Sequence, residues 1–243
     1  MNQLKLFLFL ALGATMISCS EDDGFEETNG DVSKRYITKI TTYGESEQNI
    51  STVSYDSNGK VISATDGESA KYFTYDQNGN LNKISGGGSN LLTDEVLGTI
   101  HDAYEIGDVL QNDNNGNPTV IELYEYDYWG DRITHTAHLT YDDKPFTFYY
   151  TLDAAGIIKV LNDTRLNFNH NPAASPEIIM AKLLLPVNNP TGALIKDEDN
   201  QEVGSINVNY TYGEDKYPTS ASVVVIDDAG YVKNYNVTYE YKN

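Results

Sequence analysis

One cysteine, Cys19, stands in a chain of 243 residues, so no disulfide can form within it and no framework of bridges shapes the fold. Basic residues are also scarce, 16 Lys and Arg against 36 Asp and Glu, for a formal net charge of −20. Nucleic-acid binding needs a basic stripe, and none is visible. The acidic balance favours solubility, cation association or contact with basic partners. Long apolar runs are missing too: Leu6–Ile17 and the run around Ile178–Leu185 are both too short to span a bilayer comfortably. No Gly-x-Ser-x-Gly elbow, phosphate loop or dinucleotide fingerprint appears. "GGGSN" from Gly86 lacks the following Lys-Ser/Thr that a phosphate cradle requires, and reads as a loop. The length suits one all-β domain or two small domains and is enough to bury a real core.

What is present begins with an address. "MNQLK" supplies a short positive region and "LFLFLALGATMI" an apolar one, together an export signal over residues 1–18 that is set aside from fold reasoning. The run ends at "MISCS", which resembles a bacterial lipobox: signal peptidase would cleave before Cys19 and its sulfur would carry a lipid. Met16 stands where leucine is more usual, and an ordinary secretory signal with an incidental cysteine is the alternative. The following "SEDDGFEETNGD" is acidic and poor in apolar residues, so residues 19–33 read as a disordered tether. Acidic residues directly after the lipid cysteine also resemble a surface-export signal of Bacteroidetes lipoproteins. The expected location is therefore the outer membrane, lipid-anchored and surface-exposed, or else facing the periplasm.

Residues 34–243 read as a single tyrosine-rich β domain. Tyr-Asp-x-Asn-Gly occurs at Tyr55 and at Tyr75, each time between alternating segments. Asn-Gly flanked by alternation signals a hairpin, and aspartate can bond the backbone two residues on. Further turns are expected at Asn115-Gly116, Trp129-Gly130, Asp143-Lys144, Ala155-Gly156, Glu198 to Asn200, Gly213 to Lys216 and Ala229-Gly230. Their irregular spacing describes a strand–turn meander and not a solenoid. Calcium is the competing reading of such Asp-Asn-Gly runs. An EF-hand loop, however, ends its twelve residues in a bidentate Glu, and neither Asp56 nor Asp76 leads into that pattern, so no cofactor or metal is expected.

The fold expected is all-β: a soluble antiparallel meander of roughly a dozen strands, curled or barrel-like. "SGGGSNLLTDEVLG" interrupts it as a flexible joint followed by a short helix or an irregular loop. One short buried helix is expected near 175–185, with Ser175 as N-cap, Pro176 in the first helical position and Pro186 as the stop. Its residues Ile178, Ile179, Met180, Leu183, Leu184 and Leu185 leave little polar face, so it should plug the opening of the curled sheet or cross its concave face.

Tyrosine is the signature residue, 19 against 7 Phe and 1 Trp. Tyr124, Tyr126 and Tyr128 share one face of a strand pattern, as do Tyr210 with Tyr212 and Tyr239 with Tyr241. Aromatic pairs across strands contribute about 0.2–1 kcal/mol each, so packing is the plain reading of these ladders. "YEYDYWG" adds the sole tryptophan at a turn, and Tyr124, Tyr126, Tyr128 and Trp129 form the candidate ligand surface. Aromatic faces beside carboxylates and amides suit sugar rings, which have apolar C–H faces and hydroxyl edges. The alternative is a tryptophan packed over a hairpin end. His135 and His138 lie three apart in a probable strand and point to opposite faces, a poor metal pair. His101 and His170 belong to no recognisable motif. Carboxylate pairs such as Asp142-Asp143 and Asp227-Asp228 sit at turns, whereas a glycosidase needs two carboxylates across a cleft.

Two resemblances follow. The Tyr-Asp-x-x-Gly hairpins resemble the YD repeats of RHS-type proteins. "VNNPTG" at Val187, "VNYTYGEDKYPTSASV" at Val208 and the terminal "NVTYEYKN" are similar to a Bacteroidetes lipoprotein family of unknown function with a porin-like fold. Asn189-Pro190 and the hairpin of Tyr210, Tyr212, Tyr217, Pro218 and Thr219 carry that resemblance. It implies an antiparallel, barrel-like sheet and no activity. The expectation is a non-enzymatic binding or scaffold lipoprotein, held in the membrane by its lipid and partnered by a glycan or an outer-membrane protein. A glycan-binding accessory lipoprotein of a polysaccharide-uptake system and a hydrolase are the alternatives.

Overall fold

The computed structural model describes residues 24–44, 48–66, 69–86, 89–91, 105–163, 176–227 and 229–242. The signal peptide, Cys19, the loop after Leu91, His101, His170 and the expected N-cap Ser175 lie outside the described residues. Among the described residues thirteen strands form one sheet, beginning with β1 (Tyr36–Tyr43), β2 (Gln48–Tyr55), β3 (Val61–Thr65), β4 (Ala70–Tyr75), β5 (Leu81–Gly86), β6 (Ser89–Leu91) and β7 (Glu105–Asn112). The rest are β8 (Pro118–Tyr126), β9 (Arg132–Pro145), β10 (Asn188–Lys196), β11 (Glu202–Tyr212), β12 (Pro218–Ile226) and β13 (Val232–Lys242). Four helices accompany them: α1 (Gly24–Asn29), α2 (Tyr149–Ala154), α3 (Ile157–Asp163) and α4 (Pro176–Leu184).

The order is β6-β5-β4-β3-β2-β1-β13-β12-β11-β10-β9-β8-β7, with every pair antiparallel. The first strand therefore lies mid-sheet, zipped to the last. This is the order of an up-and-down ring opened between β6 and β7. Because the described strands number thirteen, alternation leaves β6 and β7 running the same way, so these two edges cannot pair antiparallel with each other, and the described sheet is open.

Seven connections are one and the same five-residue turn, at 56–60, 76–80, 113–117, 127–131, 197–201, 213–217 and 227–231. In each, the first residue's N–H donates to the fifth's carbonyl and the fourth's N–H to the first's. The fourth residue has positive φ in all seven, from Asn200 at 67° to Gly116 at 90°. Six begin with aspartate. The Oδ1 of Asp56, for example, accepts from the N–H of Asn58 and of Lys60, both at 2.8 Å. This is a type I turn followed by a left-handed residue and a bulge. It differs from the two-residue Asn-Gly turn the motif suggests: Asn58 and Asn78 keep negative φ, and in these two turns only the glycine that follows is left-handed. The carboxylates are consequently spent on backbone amides, and at Asp76 such bonds, led by Asn80, hold the pKa down.

Two expected turns do not occur. β9 runs straight through Asp143-Lys144 to Pro145, and Ala155-Gly156 joins two helices instead of two strands. Tyr149, Tyr150, Leu152, Ala155, Ile158 and Leu161 are all buried there, a helical spacing that the glycine at 156 (φ 78°) interrupts without ending. The expected helix near 175–185 is present as α4, with Ala181 and Leu184 buried, but it is one of three in the excursion between β9 and β10. Nor does the chain float free through residue 33. α1 lies within that acidic stretch, and Phe25 is buried with its ring stacked on Tyr149, centroids 3.7 Å apart.

The excursion fills the concave side. Thr151 Oγ1 accepts from the Ile37 N–H at 2.9 Å, the Tyr75 hydroxyl reaches the Ala154 carbonyl at 3.4 Å, and Gly156 packs on Leu81. Ile37, Tyr75 and Leu81 all lie at one end of the sheet, which also holds the entry of the chain at β1 and its exit from β13. We call this the capped end. The turns β1–β2, β3–β4, β8–β9, β10–β11 and β12–β13 lie at the opposite, free end. One core joins Ile37, Ile40 and Val61 to the helices and to Ile121, Leu139, Ile206, Val223 and Val237.

Across β11, β12 and β13 the convex face is polar. Register places Asn207–Val224–Asn234, Asn209–Ser222–Asn236 and Thr211–Ser220–Thr238 in three outward rows across β11, β12 and β13. Buried Val208, Ala221, Val223 and Val237 alternate with them toward the core. A membrane-spanning barrel needs the reverse, an apolar belt outside.

Candidate functional site

The turn 127–131 sets out the candidate surface. Asp127 Oδ1 accepts from the N–H of Trp129 and of Asp131, both at 2.8 Å, which fixes the loop and leaves its second and third side chains projecting. Those side chains are Tyr128, 95% exposed, and Trp129, 83% exposed. Their rings meet edge to face, 6.0 Å apart at 88°. Tyr126, 55% exposed, points out from the convex face just before them. Trp129 is thus not folded over the hairpin end.

Tyr124 is different. It shares the outward face with Tyr126, but the Arg132 guanidinium carbon lies 3.3 Å from its ring centroid, and a Cβ on Gly107 would stand 2.5 Å from its hydroxyl oxygen. The hydroxyl donates to Glu122. Its ring is therefore engaged by its own neighbours, and the candidate surface contracts to Tyr126, Tyr128 and Trp129. On the same strand Glu125 turns inward to meet His135 Nε2 at 3.0 Å. His138 takes the opposite face, paired in register with Val120 and Leu194. Among the described residues no group of three His, Cys, Asp or Glu side chains could hold a metal ion.

The neighbouring free-end turns extend this rim. Glu198 Oε1 accepts from the Thr134 N–H at 3.2 Å, tying turn 197–201 to the strand that leaves turn 127–131. Beyond it, turn 227–231 exposes Tyr231 (70%) and Val232. The sequence reading passed over Tyr231, yet "DDAGY" is the same turn as "DYWGD" with its aromatic in the last position, and that likeness would have found it. Asp131, Asp197, Asp199 and Asp227 stand among these rings, so the rim is aromatic and acidic.

Five other tyrosines do structural work at the capped end. Tyr55 donates to the Ile37 carbonyl and Tyr75 to that of Val61, both at 2.6 Å. Tyr141, Tyr210 and Tyr241 reach the carbonyls of Pro118, Pro190 and Pro218 at 2.8, 3.1 and 2.7 Å. In each case a tyrosine near the end of one strand latches the start of the strand before it. Burial pushes Tyr55 and Tyr75 up to about 12, and raises Tyr141, Tyr210 and Tyr241 as well.

The same end holds a buried amide network. Asn117 Oδ1 accepts from the N–H of Val187 (2.7 Å) and of Asn188 (3.0 Å), while its Nδ2 donates to Asp113 and to Asn188 Oδ1, both at 2.9 Å. Asn189 Oδ1 accepts from the Thr147 N–H and hydroxyl at 2.8 and 2.7 Å, and its Nδ2 donates to the Tyr212 hydroxyl at 3.2 Å. Tyr212 donates to Asp142, whose pKa burial raises. These groups are satisfied by one another, so Asn188-Asn189-Pro190 ties β10 to the turn 113–117 and to the end of β9 and offers no vacant chemistry.

No family model matches the chain, and no curated protein matches it. Among solved structures it is similar to a porin-like protein from Bacteroides vulgatus, at 11% identity and a TM-score of 0.35, over 86% of this chain and 99% of that one. A porin-like protein from Bacteroides uniformis aligns over 87% and 99% at the same identity and TM-score. Likenesses this distant say nothing of function.

Proposed function

We propose that the chain is a lipid-anchored cell-envelope protein of the outer membrane that binds or scaffolds without turnover and presents its free end away from the membrane. One observation carries the reading: the sheet's two ends are built for different tasks. The chain enters at the capped end, where α1 docks through Phe25 and through Asn29 Nδ2, which donates to the Val187 carbonyl at 3.1 Å. From Cys19 to Gly24 the chain reaches at most about 18 Å, so a lipid on Cys19 would hold the capped end near the bilayer. The longer strands, 11 residues in β11 and β13, then carry the rim about 35 Å away.

In cells, Cys19→Ser should move the protein from the membrane fraction to the soluble one; continued retention would refute the anchor. Trp129→Cys, treated on whole cells with a membrane-impermeant maleimide, should label if the protein is surface-exposed and stay unlabelled if it faces the periplasm. A second reading, sugar binding at the rim, is favoured by the exposure of Trp129. There Trp129→Ala should abolish affinity while the protein stays folded. A hydrolase would instead turn over ester or glycoside substrates, and none should be consumed.

A further inference from the structure

The rim is not the one surface that departs from the rest of the molecule. The chain is 21% charged with a net charge of −20, yet the three outward rows across β11, β12 and β13 contain no charged residue. Asn207, Asn209, Ser222, Asn234 and Asn236 are all exposed there. Among the described residues, their side chains make no hydrogen bond. The central row continues onto β1, where register sets Tyr43 beside Asn236. Tyr43 is 45% exposed. The row Asn209–Ser222–Asn236–Tyr43 thus crosses four strands, about 14 Å at the spacing of neighbouring strands. It presents two free amides, a free hydroxyl and an aromatic ring in line.

We propose that this row is a binding site for a neutral, hydroxyl-rich glycan lying across the strands. An amide both donates and accepts, and so matches a sugar hydroxyl, which does the same. An amide also leaves water at lower cost than a carboxylate or an ammonium. The Tyr43 ring adds an apolar plate for the C–H face of one sugar. A protein partner fits less well, because interface cores are apolar and aromatic, and these rows hold one exposed ring, Tyr43, among amides and hydroxyls. An acidic polysaccharide is disfavoured by the charge of the whole chain. The inference rests on the reading of the chain as a binding protein, but it places the sugar on the convex face and not on the rim.

The test is electrophoresis of the full chain through native gels containing a neutral β-glucan, galactan or mannan, or the acidic polygalacturonate. Mobility is taken relative to a gel without polymer. At least one neutral glycan should retard the protein and polygalacturonate should not. The double variant Asn209→Asp/Asn236→Asp adds charge at exposed positions that bond to nothing, so the fold should survive, as checked by its melting curve. Its affinity for the neutral glycan should fall about tenfold or more, the equivalent of 1.4 kcal/mol. Tyr43→Ala should weaken binding. Absence of retardation by any of the three neutral glycans overturns the proposal, as does retardation by polygalacturonate alone. Loss of binding in Trp129→Ala but not in the double variant also overturns it, and moves the sugar to the rim with the proposed function intact.

Discussion

The same five-residue turn closes hairpins at both ends of the sheet, and the two ends use it differently. Its backbone is specified by an acceptor in the first position and a left-handed residue in the fourth; the second and third are left open. At the capped end those open positions hold Ser57-Asn58, Gln77-Asn78, Asn114-Asn115 and Glu214-Asp215, all polar. The turns there are knitted to their neighbours: Lys60 Nζ donates to the Gly79 carbonyl at 2.9 Å, and Asn115 Nδ2 to Asn188 at 3.1 Å. At the free end the same positions hold Tyr128-Trp129, whose rings face solvent, and Glu198-Asp199, of which Glu198 accepts from the Thr134 N–H. Since the turn does not require Tyr-Trp, those residues answer to something other than folding. Identical backbone with divergent side chains separates what holds the chain together from what it presents.

The fifth position of the turn gives the largest expected contrast. Asn117→Ala, at the capped end, would strip the acceptor from two backbone N–H groups and break the link to Asn188 in a site with no solvent exposure. Orphaning several buried polar groups should cost about 3 kcal/mol or more. Asp131→Ala, its free-end counterpart, removes an exposed side chain and should cost less than about 0.5 kcal/mol. Urea unfolding of the two variants reads both numbers, and equal losses would erase the distinction between the ends.

High pH should strike the capped end next. Burial pushes Tyr55 and Tyr75 up to about 12 in the folded chain, against about 10 for a free tyrosine. The unfolded chain gives up these protons first. Stability from this source is therefore complete below pH 10 and is lost as pH climbs through about 12. Melting temperatures measured from pH 8 to pH 12 should hold level and then fall steeply above pH 10. Tyr55→Phe and Tyr75→Phe should each start lower, for want of a bond to a carbonyl, and fall less steeply.

Much of this architecture is legible in the sequence, and what is not legible has physical causes. Alternation finds β11, β12 and β13 because apolar and polar residues truly segregate there. It fails on β8, where Tyr124 and Tyr126 look more like a core than Leu123 and Glu125 do. A strand pattern says which residues share a face, not which face is inside. Here Glu125 can turn inward because His135 on the next strand receives it. The turns are visible as Asp-x-x-Gly, but their type depends on hydrogen bonds to the first aspartate that composition does not reveal. α2 and α3 are hidden because buried helices lack a polar face to mark their period, and Gly156 imitates a hairpin. Phe25 is hidden by its setting: one aromatic residue among acids looks solvated until Tyr149, far along the chain, is found stacked on it.

A smaller effect sharpens the claim that the turn is the same at both ends. Gly59 and Gly130 have φ of 83° and 86°, and a Cβ on either would meet nothing within 4 Å. Gly59→Ala and Gly130→Ala should therefore cost the same, about 1–2 kcal/mol each, from left-handed backbone strain alone. Unequal losses measured by denaturant unfolding would mean that one turn draws support from elsewhere.

The smallest expected effect on stability falls where the functional claim is greatest. Tyr128→Ala and Trp129→Ala remove rings that touch little besides each other, and should shift unfolding by no more than about 0.5 kcal/mol. Trp129 is the sole tryptophan, so its fluorescence reports this one position. Its emission should match indole in water and be quenched by acrylamide almost as freely as a short peptide's. A ligand seated on the rim should shift that emission to the blue and shield it, while a ligand on the convex face should leave it alone. Blue, protected emission from the unliganded protein would mean that the indole is packed in solution; the free end would then be a second capped end, and Tyr-Trp would be explained by folding after all.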